Sequence, residues 1–151
     1  MNGPLILHIR GGQPADVPAV LSLLEAAGLP TADLTEARGL QMWIAEAADS
    51  LLGVIALEPF GAQALLRSLA VEPGYRKRGV GQKLVARLEY EAEAEGIQQL
   101  VLLTETAVSF FFRLGYAVTD RRDVREEVKQ SAEFRSLCPV SAMCMTKALH
   151  S

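Results

Sequence analysis

At 151 residues, half of them hydrophobic, the chain has the length of one domain and enough apolar material for a core, which excludes global disorder. Its net charge of −3 and isoelectric point near 5.4 exclude a general nucleic-acid binder. No apolar run approaches the roughly 20 residues of a membrane span, no N-terminal stretch has the order of a secretory signal, and the two cysteines, Cys138 and Cys144, make no disulfide framework.

In chain order, the segment Pro4 to Arg10, PLILHIR, predicts a first strand. Val17, Val20, Leu21 and Leu24 then recur at helical spacing, with Gly28 as the stop. TADLTEARG predicts a second short helix. LQMWIAEA, SLLGVIALE and AQALLRSLAVE follow as three strands. Their separators, Asp49-Ser50 and Pro59-Phe60-Gly61, are short and turn-like, so an antiparallel meander is expected. From Gly79 the period becomes helical: Val80, Leu84, Leu88 and Ala92 form one stripe, and Gly96 is placed to cap it. IQQLVLLT predicts a continuously apolar fifth strand of the buried parallel kind. A helix from about Thr106 to Leu114, the strand YAVTD, a helix over DVREEVKQSAEFRSL and a last strand SAMCMTKAL complete the chain. No repeat or linker divides it. The expectation is a single cytoplasmic domain over residues 1–151, of mixed α/β class, with helices flanking a central sheet.

VEPGYRKRGVGQKLV is the stretch that carries chemistry. Arg76, Lys77 and Arg78 precede a Gly79-Val80-Gly81 turn that opens directly into a helix. The N–H groups of a first helical turn lack intrahelical partners and the helix dipole favours an anion there. Two phosphate-loop patterns fail. The P-loop needs Lys and Ser/Thr after its second glycine, where Val80 and Gly81 stand, and the dinucleotide loop needs a third glycine, where Leu84 stands. The bland reading is a solvated basic turn before a surface helix.

R-x-x-G-x-G after a strand ending LAVEP resembles the acyl-CoA pyrophosphate loop of the GNAT superfamily of N-acetyltransferases. TETAVSFFFRLGY resembles that superfamily's N-x-x-A-x-x-F-Y-x-x-L-G-F segment, and the order of elements upstream matches as well. The resemblance implies a mostly antiparallel sheet whose fourth and fifth strands splay apart, with acetyl-CoA as co-substrate and its pantetheine arm in the opening. Backbone groups of Leu69, Ala70 and Val71 would hold the arm and polarise the thioester carbonyl, a kind of contact worth about 3 kcal/mol in acyl transfer. Arg76, Lys77, Arg78, Gly79, Val80, Gly81 and Gln82 would take the pyrophosphate. Thr104 stands where the family often has Asn, keeping a polar contact.

The resemblance departs at Phe111, which occupies the position of a Tyr that protonates the departing thiolate in many members. Phe110 is expected in the core, and Phe111 along the cofactor arm. An amine acceptor also needs its proton removed. Glu58, at the end of the third strand, is the catalytic candidate, with Glu46 behind it and with water or a solvated strand end as the competing readings. By period two, Leu65, Arg67, Leu69 and Val71 are expected on one face of the fourth strand. Arg67, a cation on an apolar strand, must find an anionic partner: a substrate carboxylate or an internal ion pair.

LEPFG…ALLRSLAV together with EFRSLCPVSAMCM resembles the N-acetyltransferases of arsenic-resistance operons, through Arg67, Cys138-Pro139, Ser141 and Met145. That likeness implies a small amine acceptor, an amino-acid-like organoarsenical or phosphinothricin-like compound, and a role in detoxification. No metal site is expected, since His8, His150 and the cysteines lack ligand spacing. Nucleic acid and membrane are not expected as partners; a homodimer is compatible with such folds. The alternative is a non-catalytic acetyl-CoA sensor.

Overall fold

The computed structural model describes residues 6–31, 39–131, 134 and 141–149. Its strands are β1 (His8–Gly11), β2 (Gln41–Ala47), β3 (Ser50–Phe60), β4 (Gln63–Val71), β5 (Gln99–Thr104), β6 (Ala117–Val118) and β7 (Met143–Ala148). The helices are α1 (Val17–Ala26), α2 (Val80–Ala94), α3 (Val108–Arg113) and α4 (Glu126–Lys129). Among the described residues the seven strands form one sheet in the order β1-β2-β3-β4-β5-β7-β6, antiparallel throughout except for the β4–β5 pair. This is the mixed α/β class expected from the element order, with the mostly antiparallel sheet that the family resemblance implies.

Alternation along each strand sorts the core into two faces. Trp43, Ala45, Ile55, Leu57, Leu66, Leu100, Leu102 and Met145 meet the apolar stripe of α2 and Phe111 of α3. Ile44, Val54 and Ala70 turn the other way onto Val20, Leu23 and Leu24 of α1. On that same second face Leu65, Val101 and Cys144 meet Val124 and Val128 around α4. The buried stripe of α1 thus includes Leu23, while Leu21 is only partly buried.

The turns follow from backbone chemistry. Ala48 and Asp49 both take left-handed φ between β2 and β3 (50° and 64°), the signature of a tight type I′ hairpin, so Ser50 belongs to the strand and not to the turn. Gly96 has φ 85° and ends α2 with Gly96 N–H donating to Glu93 O and Ile97 N–H to Ala92 O. Near β1, the Arg10 guanidinium bonds both Asp16 and Glu46. The guanidinium, helped by the Gln13 N–H, holds the Asp16 carboxyl at about 2. Glu46 is therefore part of a strand-to-helix tie.

The long helix expected over residues 123–137 is not continuous. The Asp120 side chain accepts from Arg122 N–H and caps a separate 3₁₀ turn over Arg121–Asp123. Val124 is then extended, carrying its β-branched side chain into the core, and α4 begins only at Glu126. The segment YAVTD keeps only two strand residues, and the α3 helix begins two residues later than expected. The short helix expected over TADLTEARG falls largely on residues 32–38, outside the described residues, as do Cys138 and Pro139. Among the described residues no helix is long and apolar enough to cross a membrane, and no group of three or more His, Cys, Asp or Glu is placed to hold a metal ion.

The start of α2 sits directly on β3 at Gly53. A Cβ there would meet Leu84 Cδ1 at 3.0 Å, the Ala70 carbonyl oxygen at 3.1 Å and Val80 Cγ1 at 3.3 Å. Two of these neighbours are side chains of the helix and one is backbone of β4, so the helix must lift to admit a methyl group. Gly53→Ala is expected to destabilise the protein by about 1–3 kcal/mol, read as a fall in urea midpoint at unchanged slope.

Candidate active site

β4 and β5 are paired at only three positions, Gln63↔Gln99, Ala64↔Leu100 and Leu65↔Val101. Beyond them each strand keeps its outer neighbour: β4 follows β3 as far as Val71↔Gly53, and β5 follows β7 as far as Thr104↔Met143. Their inner edges diverge into a slot. The β3–β4 register shifts between Val54↔Ala70 and Ala56↔Arg67, and Ser68 takes φ 59°. This bulge inserts one residue, bends the strand and increases its local twist.

The bulge also overturns the expected face of the strand. Leu65, Arg67, Leu69 and Val71 do not lie together. Leu65 and Ala70 pack against the α4 and α1 side, whereas Leu66, Leu69 and Val71 pack on the α2 side. A period of two fails where one residue is added, and Ser68 carries no sequence sign of its left-handed backbone.

The outer half of the slot is a cavity of about 770 Å³ lined by Leu69, Ala70, Val71, Arg76, Lys77, Gly79, Val80, Gly81 and Gln82, with Tyr75, Phe110 and Arg113 among the others. Lys77 and Gly79 have left-handed φ of 65° and 83°, which turns the chain sharply into α2. The first i to i−4 bond of α2 runs from Lys83 N–H to Gly79 O at 3.1 Å, so the N–H groups of Val80, Gly81 and Gln82 precede it. A Cβ on Gly81 would meet Phe110 Cζ at 3.3 Å, so the helix start is close to α3. Arg78 is the exception within the motif. It is absent from the cavity wall, exposed, and stacked over the Tyr75 ring at 5.6 Å. Arg76 donates from Nε to the Val71 carbonyl at 3.3 Å.

The inner half is a second cavity of about 530 Å³, sharing Ala27, Leu29, Leu69, Thr106 and Ala107 with the first. Arg67 lines it and is buried, with Nη1 donating to Glu58 Oε1 at 3.2 Å and Nε donating to Ser68 Oγ at 3.3 Å. Of the two expectations for Arg67, an internal ion pair is therefore present, and the guanidinium still borders the cavity. Glu58 is no solvated strand end: it is buried behind Arg67 and is not on the cavity wall. The two residues sit diagonally across the β3–β4 ladder, where long side chains can meet.

Thr104 lines this cavity, and its Oγ1 accepts from Ala107 N–H at 3.0 Å, fixing the turn into α3. A hydroxyl that accepts one bond retains a proton to donate. The three phenylalanines divide differently from expectation. Phe110 is only partly buried and lines the outer cavity, Phe111 is buried in the core yet borders the inner one, and Phe112 is exposed. Phe111 meets Phe110 and Tyr116 edge to face at 5.0 and 5.3 Å. Tyr116 supplies packing and no proton to the cleft: its hydroxyl donates to Glu89 Oε2 at 2.8 Å, and burial, reinforced by the Glu89 charge, pushes its pKa upward.

Three contributors had no place in the sequence reading. Arg113 adds a cation to the outer cavity. Glu105 and the Ala27–Pro30 segment after α1 border the inner one. Arg113 and Glu105 lie inside the TETAVSFFFRLGY segment, so their neighbourhood was legible, but not the direction in which they face.

Residues 38–118 match the acetyltransferase (GNAT) domain family. An amino-acid acetyltransferase of Ectopseudomonas mendocina is 41% identical over 51 residues, which make up 34% of this chain and 12% of that protein. N-acetylglutamate synthase from Neisseria gonorrhoeae, solved with coenzyme A and N-acetyl-glutamate, superposes with a TM-score of 0.83 at 22% identity, covering 97% of this chain and 36% of that one. Rv2747 from Mycobacterium tuberculosis, solved in complex with CoA, gives a TM-score of 0.79 at 26% identity over 95% of this chain and 99% of its own. The chain thus spans about an eighth of the curated relative's length and about a third of the gonococcal enzyme's. By the family match over more than half its length, and by a fold shared with CoA-bound structures, the chain belongs to the GNAT acetyltransferase domain family.

Proposed function

We propose that this domain transfers the acetyl group of acetyl-CoA to the amine of a small amino-acid-like acceptor. One observation carries the reading: the slot left where β4 and β5 part runs from a cationic helix start at one end to the buried Arg67–Glu58 pair at the other. A long carrier with an anionic head fits the outer half, and an acceptor with an oxyanion fits the inner half. The 51-residue likeness to an amino-acid acetyltransferase supports the acceptor class.

Bound acetyl-CoA supplies the activated thioester. In this reading Arg76, Lys77 and Arg113 provide charge for its pyrophosphate, and the N–H groups of Val80, Gly81 and Gln82 provide direction. The backbone of Leu69, Ala70 and Val71 flanks the pantetheine arm. Phe111 shields the sulfur from water but has no proton to give. The departing group leaves as a thiolate, whose ordinary pKa of roughly 8.5 makes this tolerable. Arg67 reads the acceptor's oxyanion, and Glu58 acts on the reaction through Arg67, holding the guanidinium in place; water takes the amine proton.

Within that class, the finer proposal is an arsinothricin- or phosphinothricin-like amino acid, consistent with a detoxifying role. Among the described residues of that resemblance, Arg67 borders the cavity, Ser141 adjoins the cavity residue Ala142, and Met145 is fully buried in the core. The second reading, an acetyl-CoA sensor without turnover, draws on Phe111 standing where a proton donor is usual.

A thiol-release assay with acetyl-CoA separates these readings. The expected result is release with α-amino acids, phosphinothricin and arsinothricin, and none with a lysine peptide. Acetyl-CoA binding without release for every acceptor would favour the sensor.

Charge reversal at Arg76 and Lys77 together is expected to weaken acetyl-CoA binding at least tenfold, about 1.4 kcal/mol. Reversal at Arg78 alone should cost much less, because its side chain lies on Tyr75. Calorimetric titration reads both, and equal losses would place Arg78 in the pyrophosphate site. For Arg67, removal alone would take an ion-pair partner from a buried carboxylate and destabilise the fold. The double variant Glu58→Gln/Arg67→Gln keeps the volume and removes both charges. It is expected to fold and bind acetyl-CoA while the acceptor KM rises about tenfold; an unchanged KM would remove Arg67 from the site.

A further inference from the structure

The two halves of the cleft carry different charge. Among the described residues, those lining the outer cavity include three cations, Arg76, Lys77 and Arg113, and no carboxylate. The inner cavity is bordered by one cation, Arg67, and one carboxylate, Glu105. Arg67 is buried, whereas Glu105 is exposed. Glu105 directly follows the last residue of β5, beyond the point where β5 has lost β4 as a partner. Its backbone is held by the Thr104 Oγ1 bond to Ala107 N–H at 3.0 Å and by the first α3 bond, Phe111 N–H to Ala107 O, also 3.0 Å. The pinned turn fixes the Glu105 backbone, so only side-chain freedom is lost when the carboxylate meets a cation.

The cavity wall also includes Ala27, Gly28, Leu29 and Pro30, the segment that follows the C-terminus of α1. A ten-residue helix presents the negative end of its dipole there. Glu105 and this helix end share a wall with the same 530 Å³ space and favour the same kind of group, a cation.

The geometry points to Glu105 as the residue that recognises the acceptor's ammonium group, so that the inner cavity selects a zwitterion: an oxyanion toward Arg67 and an amine toward Glu105. This rests on the acetyl-transfer reading above and narrows its substrate class. A monoanion lacking the amine would meet Glu105 as a like charge. A lysine side chain on a peptide would satisfy Glu105 but leave Arg67 without the oxyanion it reads. Glu105 is a binding and positioning residue; the ammonium proton passes to water before the amine attacks.

The test uses L-glutamate and phosphinothricin as acceptor probes with wild type, Glu105→Gln and Glu105→Asp. In Glu105→Gln the acceptor KM is expected to rise about fivefold, the size of a partly exposed ion pair, with kcat within twofold and the acetyl-CoA KM unmoved. Glu105→Asp should recover most of the loss. Raising the ionic strength should increase the acceptor KM of wild type more than that of Glu105→Gln. Equal acceptor KM values in wild type and Glu105→Gln would overturn the assignment while leaving acetyl transfer intact. So would a parallel rise in the acetyl-CoA KM, which would mark Glu105 as a prop of the turn. A wild type that binds acetyl-CoA but acetylates neither probe removes this assignment; thiol release with other acceptors in the broader panel would show that acetyl transfer itself survives.

Discussion

The cleft depends on a missing partnership. A parallel pair of buried strands ordinarily continues its hydrogen bonds to the end, because an unpaired N–H or C=O away from water is costly. Here β4 and β5 stop after three positions although both strands continue. The bulge at Ser68 gives the mechanical reason. It keeps β4 joined to β3 while bending its far end away from β5, so the outer ladder survives and the inner one cannot. The freed edges lie along a slot that an extended ligand can complete, which is how an exposed strand edge commonly recognises a chain. The long α2 helix then packs across β3 at Gly53 with its N-terminus at the mouth of the slot.

The Arg67–Glu58 pair sits where a hydrophobic pair would have been simpler. Its neighbours on β3 and β4 are apolar and buried, and placing two charges among them carries a desolvation cost that their attraction only partly offsets. The guanidinium is held beside the cavity by Glu58 and by the Ser68 hydroxyl, which belongs to the bulge itself. The residue that opens the slot thus also orients the cation at its inner end.

Much of this was legible in the sequence, and each miss has a physical cause. The order of elements, the stripe on α2 and the glycine turn were readable because hydrophobic period and glycine placement are local signals. The direction of side chains past Ser68 was not, because a serine in the left-handed region looks like any other strand serine. The same holds for Lys77, whose φ of 65° swings the loop so that Arg78 leaves the cavity that Arg76 and Lys77 line. The three phenylalanines in a row were ambiguous for another reason: on a helix, consecutive residues point about 100° apart, so a core, a cleft and a solvent role follow one another. Glu58 and Arg67, nine residues apart, could be recognised as partners only once the hairpin register was known.

Among the described residues, four that are not glycine have a left-handed backbone. Ala48 and Asp49 form a tight hairpin, where such angles are the cheapest way to reverse the chain. Ser68 and Lys77 have no such excuse: one sits within a strand and the other in a loop that glycine could have served at less cost. Each such residue costs of order 1–3 kcal/mol. Ser68 borders the inner cavity and Lys77 the outer one. A glycine at position 68 would relieve the strain but remove the hydroxyl that bonds Arg67, and a glycine at 77 would remove a cation from the helix start. Under the acetyl-transfer proposal, backbone strain at both ends of the slot is the cost of keeping a hydroxyl beside Arg67 and a cation at the helix start.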